Sequence, residues 1–361
     1  MKPPYRADQV GSLLRPAELA TARKQWKQGA LDAGKLRDIE DRAVREAVKK
    51  QEAIGLQAVT DGEFRRDWWH LDFLAQLDGV TTRVNPGPKF GGTEEQPPIA
   101  TVTGKVGCSK PIMVEHFAFL KSVAKATPKF TIPSPSMLHL RGGRNAISKQ
   151  AYPDLNAFWD DVAAAYRKAI AHLAAAGCTY LQLDDTAFAY LCDPKIRDNC
   201  RKNGDDPSLL PRRYADTINA ALQGRPAGMT VTMHTCRGNF KSAWVAEGGY
   251  DPVAEAMFSA DVDGFFMEFD SARAGGFEPL RALPAGKKVV LGLVTTKVGE
   301  IEDPAMLERR IDEAARYVPL ENLCLSPQCG FSSTHHGNAL SEADQWKKLE
   351  LIVSVAREVW A

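Results

Sequence analysis

The chain has no long apolar run: nothing in its 361 residues approaches the roughly 20 consecutive apolar positions that span a bilayer. It has no charge excess either. Forty-six Lys and Arg against 45 Asp and Glu leave a net charge of +1, with pI near 7.6, so neither a nucleic-acid partner nor an acidic tail is expected. The opening Met-Lys-Pro-Pro-Tyr-Arg-Ala-Asp lacks an apolar signal core, and a cytoplasmic location is expected. Seven cysteines (108, 178, 192, 200, 236, 324 and 329) are an odd, scattered set in a long chain. That argues against a disulfide framework and for reduced thiols, some of them metal-bound. No Gly-rich fingerprint opens a helix, which weighs against a dinucleotide-binding sheet.

What is present is a rhythm. Short apolar or β-branched runs alternate with longer helical patterns. Strands are predicted at Ala7–Ser12, Leu56–Thr60, Lys129–Pro133, Thr179–Leu183, Met229–Met233, Gly264–Met267, Lys288–Val294 and Asn322–Leu325. Between them, Phe158, Val162, Ala165, Ala169 and Leu173 make one apolar stripe of a helix over 155–176, with Gly177 as its C′ residue. Asp303-Pro304 reads as N-cap then N1, and Ser341 with Asp344 as a capping box. The last helix carries Trp346, Leu349, Val353, Ala356 and Trp360 as a stripe that could serve a core or a homo-oligomer interface. Residues 193–206 read as a polar surface loop. Residues 79–112 break the rhythm: turn signals at Asn85-Pro86-Gly87-Pro88 and Gly91-Gly92, then alternation over Ile99–Val106, predict a hairpin excursion within one domain over 1–361. Eight strands separated by helices predict an α/β fold, a (β/α)8 TIM barrel with a β-hairpin insertion after strand two. A doubly wound sheet is the alternative.

In such a barrel the active site lies at the C-terminal strand ends. The reactive side chains fall there: Ser12, Asp61 and Glu63, Asp184 and Asp185, His234 and Cys236, Glu268, Thr295 and Thr296, and Cys329. The spacing His-x-Cys places an imidazole and a thiolate on one side of a strand end. Glu268 and Cys329 complete a candidate tetrahedral set for Zn2+, whose thiolates disfavour Mg2+ and Ca2+. The carboxylate is the most labile of the four ligands. A substrate thiol that replaced it would have its pKa lowered from about 8.5 and react as a thiolate, so alkyl transfer to sulfur is the expected chemistry. His335 and His336 near Cys329 are weaker candidates as proton carriers. Cys178 and Cys324 read as core, and Cys192 and Cys200 have no spacing for a second metal. Arg65 and Arg66, with Trp68 and Trp69, could bind an anionic substrate by charge and stacking.

These motifs resemble the catalytic C-terminal barrel of cobalamin-independent methionine synthase, and more closely its short single-barrel relatives. The resemblance runs from Val10-Gly11-Ser12 to Cys329-Gly330 and is most specific in the His-x-Cys, Glu, Cys order. It implies that His234, Cys236, Glu268 and Cys329 bind zinc. It also implies that Val10-Gly11-Ser12 and Asp61-Gly62-Glu63 hold the homocysteine backbone, with Ser12 on its carboxylate, while Glu63 and Asp184 pair with its ammonium and act as catalytic carboxylates. Arg65 is a further substrate-binding candidate. Two departures stand out. The family's His after strand seven is missing from Gly-Leu-Val-Thr-Thr-Lys (292–297), and its folate-stacking Trp is missing from Pro-Ser-Pro-Ser-Met-Leu-His-Leu (133–140). The family's separate N-terminal barrel is also not in this chain. The expected function is zinc-dependent methyl transfer to homocysteine from methyltetrahydrofolate or a corrinoid. The alternatives are alkyl transfer to another thiol, such as coenzyme M in the epoxyalkane–coenzyme M transferases that resemble this family, or a non-catalytic metal-binding relative.

Overall fold

The parallel strands of the computed structural model, which describes residues 2–84 and 98–361, are buried on both faces, and the two faces pack into different clusters. Leu181 and Leu183, Val231 and Met233, Phe265 and Met267, and Val289 and Leu291 all join the large apolar cluster shared with the helices. Phe266 and Val290, one position away on the same strands, join Val10 and Cys324 in a separate cluster. Period two therefore sorts each strand into an outer face under helices and an inner face lining a barrel.

Seven strands run parallel in spatial order: β1 (Ala58–Val59), then past the excursion β4 (Thr127–Pro133), β5 (Tyr180–Asp185), β6 (Thr230–Thr235), β7 (Gly264–Glu268), β8 (Lys288–Val294) and β9 (Leu323–Pro327). The excursion is a separate antiparallel pair, β2 (Asp78–Arg83) with β3 (Ile99–Gly107). This is the predicted hairpin insertion; its turn signals at 85–88 and 91–92 lie outside the described residues. The helices are α1 (Ala17–Lys27), α2 (Ala33–Ala53), α3 (Leu71–Leu74), α4 (Val114–Val123), α5 (Leu155–Ala175), α6 (Ala187–Tyr190), α7 (Pro194–Lys202), α8 (Leu210–Leu222), α9 (Ala254–Phe258), α10 (Pro304–Ala315) and α11 (Glu342–Val359). The fold is a (β/α)8 TIM-type barrel, with one departure from expectation.

That departure is the first strand. Residues 7–12 do not form a regular strand; they bridge β9 at Ala7–Leu325 and the loop after β1 at Ser12–Gly62. The segment still fills the gap between the two ends of the sheet. The carbonyls of Gln9, Val10 and Gly11 are taken by side chains rather than by a neighbouring strand, and that of Ser12 by the Phe331 amide. Lys129 Nζ donates to the Gln9 carbonyl, Gln182 Nε2 to that of Val10 and Thr60 Oγ1 to that of Gly11. A backbone so satisfied has no need of a ladder.

The helix signals hold. Phe158, Val162, Ala165, Ala169 and Leu173 are all buried, each of the large ones worth about 1.5–3 kcal/mol in burial. Gly177 takes φ +91°, the left-handed turn that follows α5. Asp303 caps α10 by accepting from the Ala305 amide, and Ser341 with Asp344 forms the capping box of α11. Trp360 is used within the chain, donating from Nε1 to the Leu320 carbonyl at 2.9 Å. The stretch predicted as a loop at 193–206 instead contains α7, with Asp193 as N-cap and Pro194 at N1. Its buried Cys200 anchors one face of an otherwise polar helix. None of the described helices is long and apolar enough to cross a membrane.

Candidate metal and thiol site

Inner-face residues near the C-terminal ends of the strands point into the barrel mouth, and the register places them in one layer. Asp184 of β5 pairs with His234 of β6, which in turn pairs with Phe266 of β7. Beyond β6 the Cys236 amide donates to the Asp185 carbonyl at 2.8 Å, which holds the chain straight long enough to aim the thiol inward. The Gly238 amide then donates to Cys236 Sγ at 3.3 Å. Cys329 arrives from the loop after β9, its sulfur 3.3 Å from that of Cys236. The ligand atoms of His234, Cys236 and Cys329 all lie within 4.8 Å of one another, and all three residues are buried.

Among the described residues, neither ring nitrogen of His234 has a hydrogen-bond partner. Burial works to lower its pKa, but Cys329, Asp184 and Glu268 outweigh that and raise it. The Cys329 thiol is drawn well below its ordinary value by the hydrogen bond from Cys236 and by the adjacent imidazole; Cys236 is pushed up in return. One imidazole and two sulfurs, aimed together and lacking other use, suit a borderline-soft cation.

Glu268 is not within that group of three. It is fully buried at the end of β7, and Gln328 Nε2 donates to its Oε1 at 3.4 Å. Its Oε2 has no hydrogen bond and lies 3.7 Å from Arg273 and 3.9 Å from Arg237. Burial raises the pKa of this carboxyl, and the nearby Cys329 adds to the shift.

Ser12, Glu63 and Asp184 share one pocket with His234, Cys236 and Cys329. Gly330 lets the two sides meet, because a Cβ there would collide with the Ser12 hydroxyl. Glu63, at φ +58°, accepts from Thr131 Oγ1 at 2.7 Å and faces Arg66 at 3.3 Å, while its Oε2 is unpartnered. Burial raises its pKa. Asp184 accepts from Gln182 Nε2 at 2.7 Å, and burial lifts its pKa to about 7 against the pull of His234.

The other predicted residues sit elsewhere. Gly11 does not line the pocket; at φ +147° it passes Thr131, whose methyl group leaves no room for a Cβ. Arg65 turns away to Asp41 and Glu40, and Arg66 spends itself on Glu63 and the Thr131 carbonyl. Asp185 holds a loop, accepting from Ser136 and from the Phe188 amide. Thr296 donates to Gln328 Oε1 and so braces the residue before Cys329. His335 and His336 are half-buried against Trp68, outside the pocket lining. Cys192 and Cys200 join no metal-holding group among the described residues.

Sequence reasoning missed Lys297, which is buried beside the thiols, donates to the Gly238 carbonyl at 3.2 Å, and favours the charged forms of Cys236, Cys329 and Glu268. It also missed His70, Arg141, Tyr190 and Asn239 on the pocket wall. They come from four loops and share no spacing; the only local signal was position just past a strand end.

Residues 6–358 match the family described as "Cobalamin-independent synthase, Catalytic domain". The uncharacterized proteins YxjG and YxjH of Bacillus subtilis (strain 168) are 49% and 48% identical to this chain, each match covering 99% of it and 96% of the relative. A structure described as a putative vitamin-B12 independent methionine synthase from Listeria monocytogenes is 40% identical, with TM-score 0.80 over 99% of this chain and 98% of that one. A B12-independent methionine synthase from Shewanella sp. W3-18-1, solved with selenomethionine, shares the fold at 20% identity and TM-score 0.73, covering 98% of this chain and 97% of that one.

Proposed function

The chain belongs to the cobalamin-independent methionine synthase catalytic-domain family, and from that premise we propose that it is a zinc-dependent S-methyltransferase converting homocysteine to methionine. The observation that carries this reading is the convergence of His234, Cys236 and Cys329 in the same pocket as Ser12, Glu63 and Asp184. Those first three residues would hold the metal, with Glu268 as the displaceable fourth ligand. Bound zinc would supply Lewis acidity that keeps a substrate thiol ionised at neutral pH.

The chain's own residues do the rest. Glu63 and Asp184 are buried, and burial raises both pKa values despite Arg66 and His234 beside them, so a substrate ammonium between them relieves the remaining cost. Ser12 offers its hydroxyl to the substrate carboxylate. These contacts orient the sulfur, which is where most of a bimolecular barrier is removed. The sulfur–methyl bond forms as the donor–methyl bond breaks. The thiol proton leaves, and the electron pair of the broken bond stays on the donor.

The two arginines expected to bind a coenzyme M sulfonate, Arg65 and Arg66, are both paired with carboxylates. The test is metal content together with methionine formation from homocysteine, using methyltetrahydrofolate and methylcobalamin as donors. One zinc per chain is expected, and homocysteine should enter its shell as seen by X-ray absorption. Full activity in a zinc-free preparation would overturn the reading.

A further inference from the structure

Three lysines are buried among the described residues: Lys129, Lys297 and Lys348. Two of them have a carboxylate. Lys129 pairs with Asp8 at 3.1 Å, and Lys348 with Glu302 at 2.9 Å. Lys297 is only 6% exposed and has no carboxylate within 4.0 Å among the described residues. Its ammonium donates instead to two backbone carbonyls, that of Gly238 at 3.2 Å and that of Ala243 at 3.5 Å. A charge removed from water is ordinarily paired, because carbonyl dipoles alone offset only part of the lost hydration. Binding and orienting the acceptor, as described above, makes no use of this one.

Its place is set from both cysteine loops. Gly238, whose carbonyl receives the ammonium, donates its own amide to Cys236 Sγ at 3.3 Å. The residue before Lys297 reaches the other way. Thr296 Oγ1 donates to Gln328 Oε1 at 2.8 Å and to the Gly330 carbonyl at 3.1 Å, and these two residues flank Cys329. Consecutive residues of the loop after β8 thus bond to the Cys236 loop and to the Cys329 loop. That loop is itself fixed. The Thr295 amide donates to Glu302 Oε1 at 2.8 Å, Lys348 of α11 holds the Glu302 carboxylate, and Asn338 Nδ2 donates to the Thr296 carbonyl at 2.9 Å. A flexible four-carbon stem held in this way gives up rotamer freedom to keep an ammonium in one place.

The two loops so joined carry the pair of sulfurs, 3.3 Å apart. Two thiolates and a carboxylate around a divalent cation leave a net negative charge. On the Glu268 side that charge is met by Arg273 at 3.7 Å and Arg237 at 3.9 Å. Lys297 is the cation tied to the Cys236 side, and its charge favours the ionised forms of Cys236 and Cys329.

We propose that Lys297 is a positioning residue of the metal site: fixed between the two cysteine loops, it supplies the positive charge that two thiolates leave unmatched on the sulfur side of a bound zinc. The inference rests on the zinc reading of the site and adds to it a residue that is neither a ligand nor a substrate contact. In the metal-free protein the buried ammonium is a cost to folding; ionised sulfurs around a cation offset that cost.

The test titrates Zn2+ into the metal-free protein against a chelating dye, and follows Co2+ separately by its sulfur-to-metal absorption band. Lys297→Met keeps the length of the side chain and removes both charge and donor; Lys297→Gln removes the charge and keeps a donor. Each should weaken Zn2+ binding at least about tenfold, as the loss of outer-shell partners does. Absorbance per bound Co2+ should stay that of the unchanged protein, since the ligands are untouched. The urea midpoint of metal-free Lys297→Met should be no lower than that of the unchanged protein, because an unpaired buried charge has gone. Unweakened Zn2+ binding by either variant would overturn the proposal. So would a dimmer Co2+ band at saturation, which would mean a displaced thiolate. A lower metal-free midpoint, down to failure to fold, would make the ammonium a loop brace and overturn it as well. Absence of Zn2+ binding in the unchanged protein would sink the zinc-dependent reading and this one with it. Tight Zn2+ binding indifferent to the change at Lys297 would sink this one alone.

Discussion

At the N-terminal end of the barrel, fully buried Lys129 donates to Asp8 at 3.1 Å and to the Gln9 carbonyl at 2.5 Å, while the Tyr180 hydroxyl donates to the other Asp8 oxygen at 2.8 Å. At the C-terminal end, His234, Glu63, Asp61 and Glu268 are buried too, yet each keeps at least one polar atom without a hydrogen-bond partner among the described residues. The same strands build both ends. Where every charge has its complement, the cluster closes the barrel. Where partners are withheld, the cost of burial is stored until a ligand offsets it.

The sharpest way to break this comparison is at the thiols. Cys236→Ser should lower methionine formation at least about 100-fold and lose zinc, with little change in the urea midpoint. A variant that loses stability instead would mean that the upper cluster is structural. Lys129→Met should do the opposite. It leaves Asp8 buried and unpaired, a cost of about 3–5 kcal/mol by urea denaturation, while the folded fraction keeps its turnover.

Asp184 tests the upper end by pH. Its folded pKa, about 7, lies above its ordinary 3.8, so between these values the native state binds more protons than the unfolded one. Stability of the metal-free protein should therefore fall as pH rises from about 4 to 7, and Asp184→Asn should flatten that slope. An unchanged slope in the variant would show that another group carries it. The smallest effect belongs to a site remote from both ends. Ser341→Ala removes the α11 cap and should cost about 1 kcal/mol in stability with no change in the KM for homocysteine.

Much of this was readable in order along the chain. The α5 stripe, the Asp303-Pro304 start and the Ser341 capping box depend on neighbours within one turn, and all three appear as expected. The α7 start at Asp193-Pro194 carries the same signature as Asp303-Pro304 and was overlooked because the helix has almost no apolar face. The irregular 7–12 segment could not be foreseen, since its carbonyls are claimed by Lys129 and Gln182, more than a hundred residues away. Arg65 read as a candidate for an anion and Arg141 did not; the structure pairs the first with Asp41 and places the second on the pocket lining.

Residue type and local order alone determined the alternation of strands and helices, the inward side of each strand and the presence of two thiols, an imidazole and a carboxylate at strand ends, because period and capping act within a few residues. Only the closed barrel decided that His234, Cys236 and Cys329 share a few ångströms and that Glu268 stands beside two guanidinium groups. Proximity across strands and the matching of charges follow from which loops meet at the barrel mouth, and no local pattern encodes that meeting.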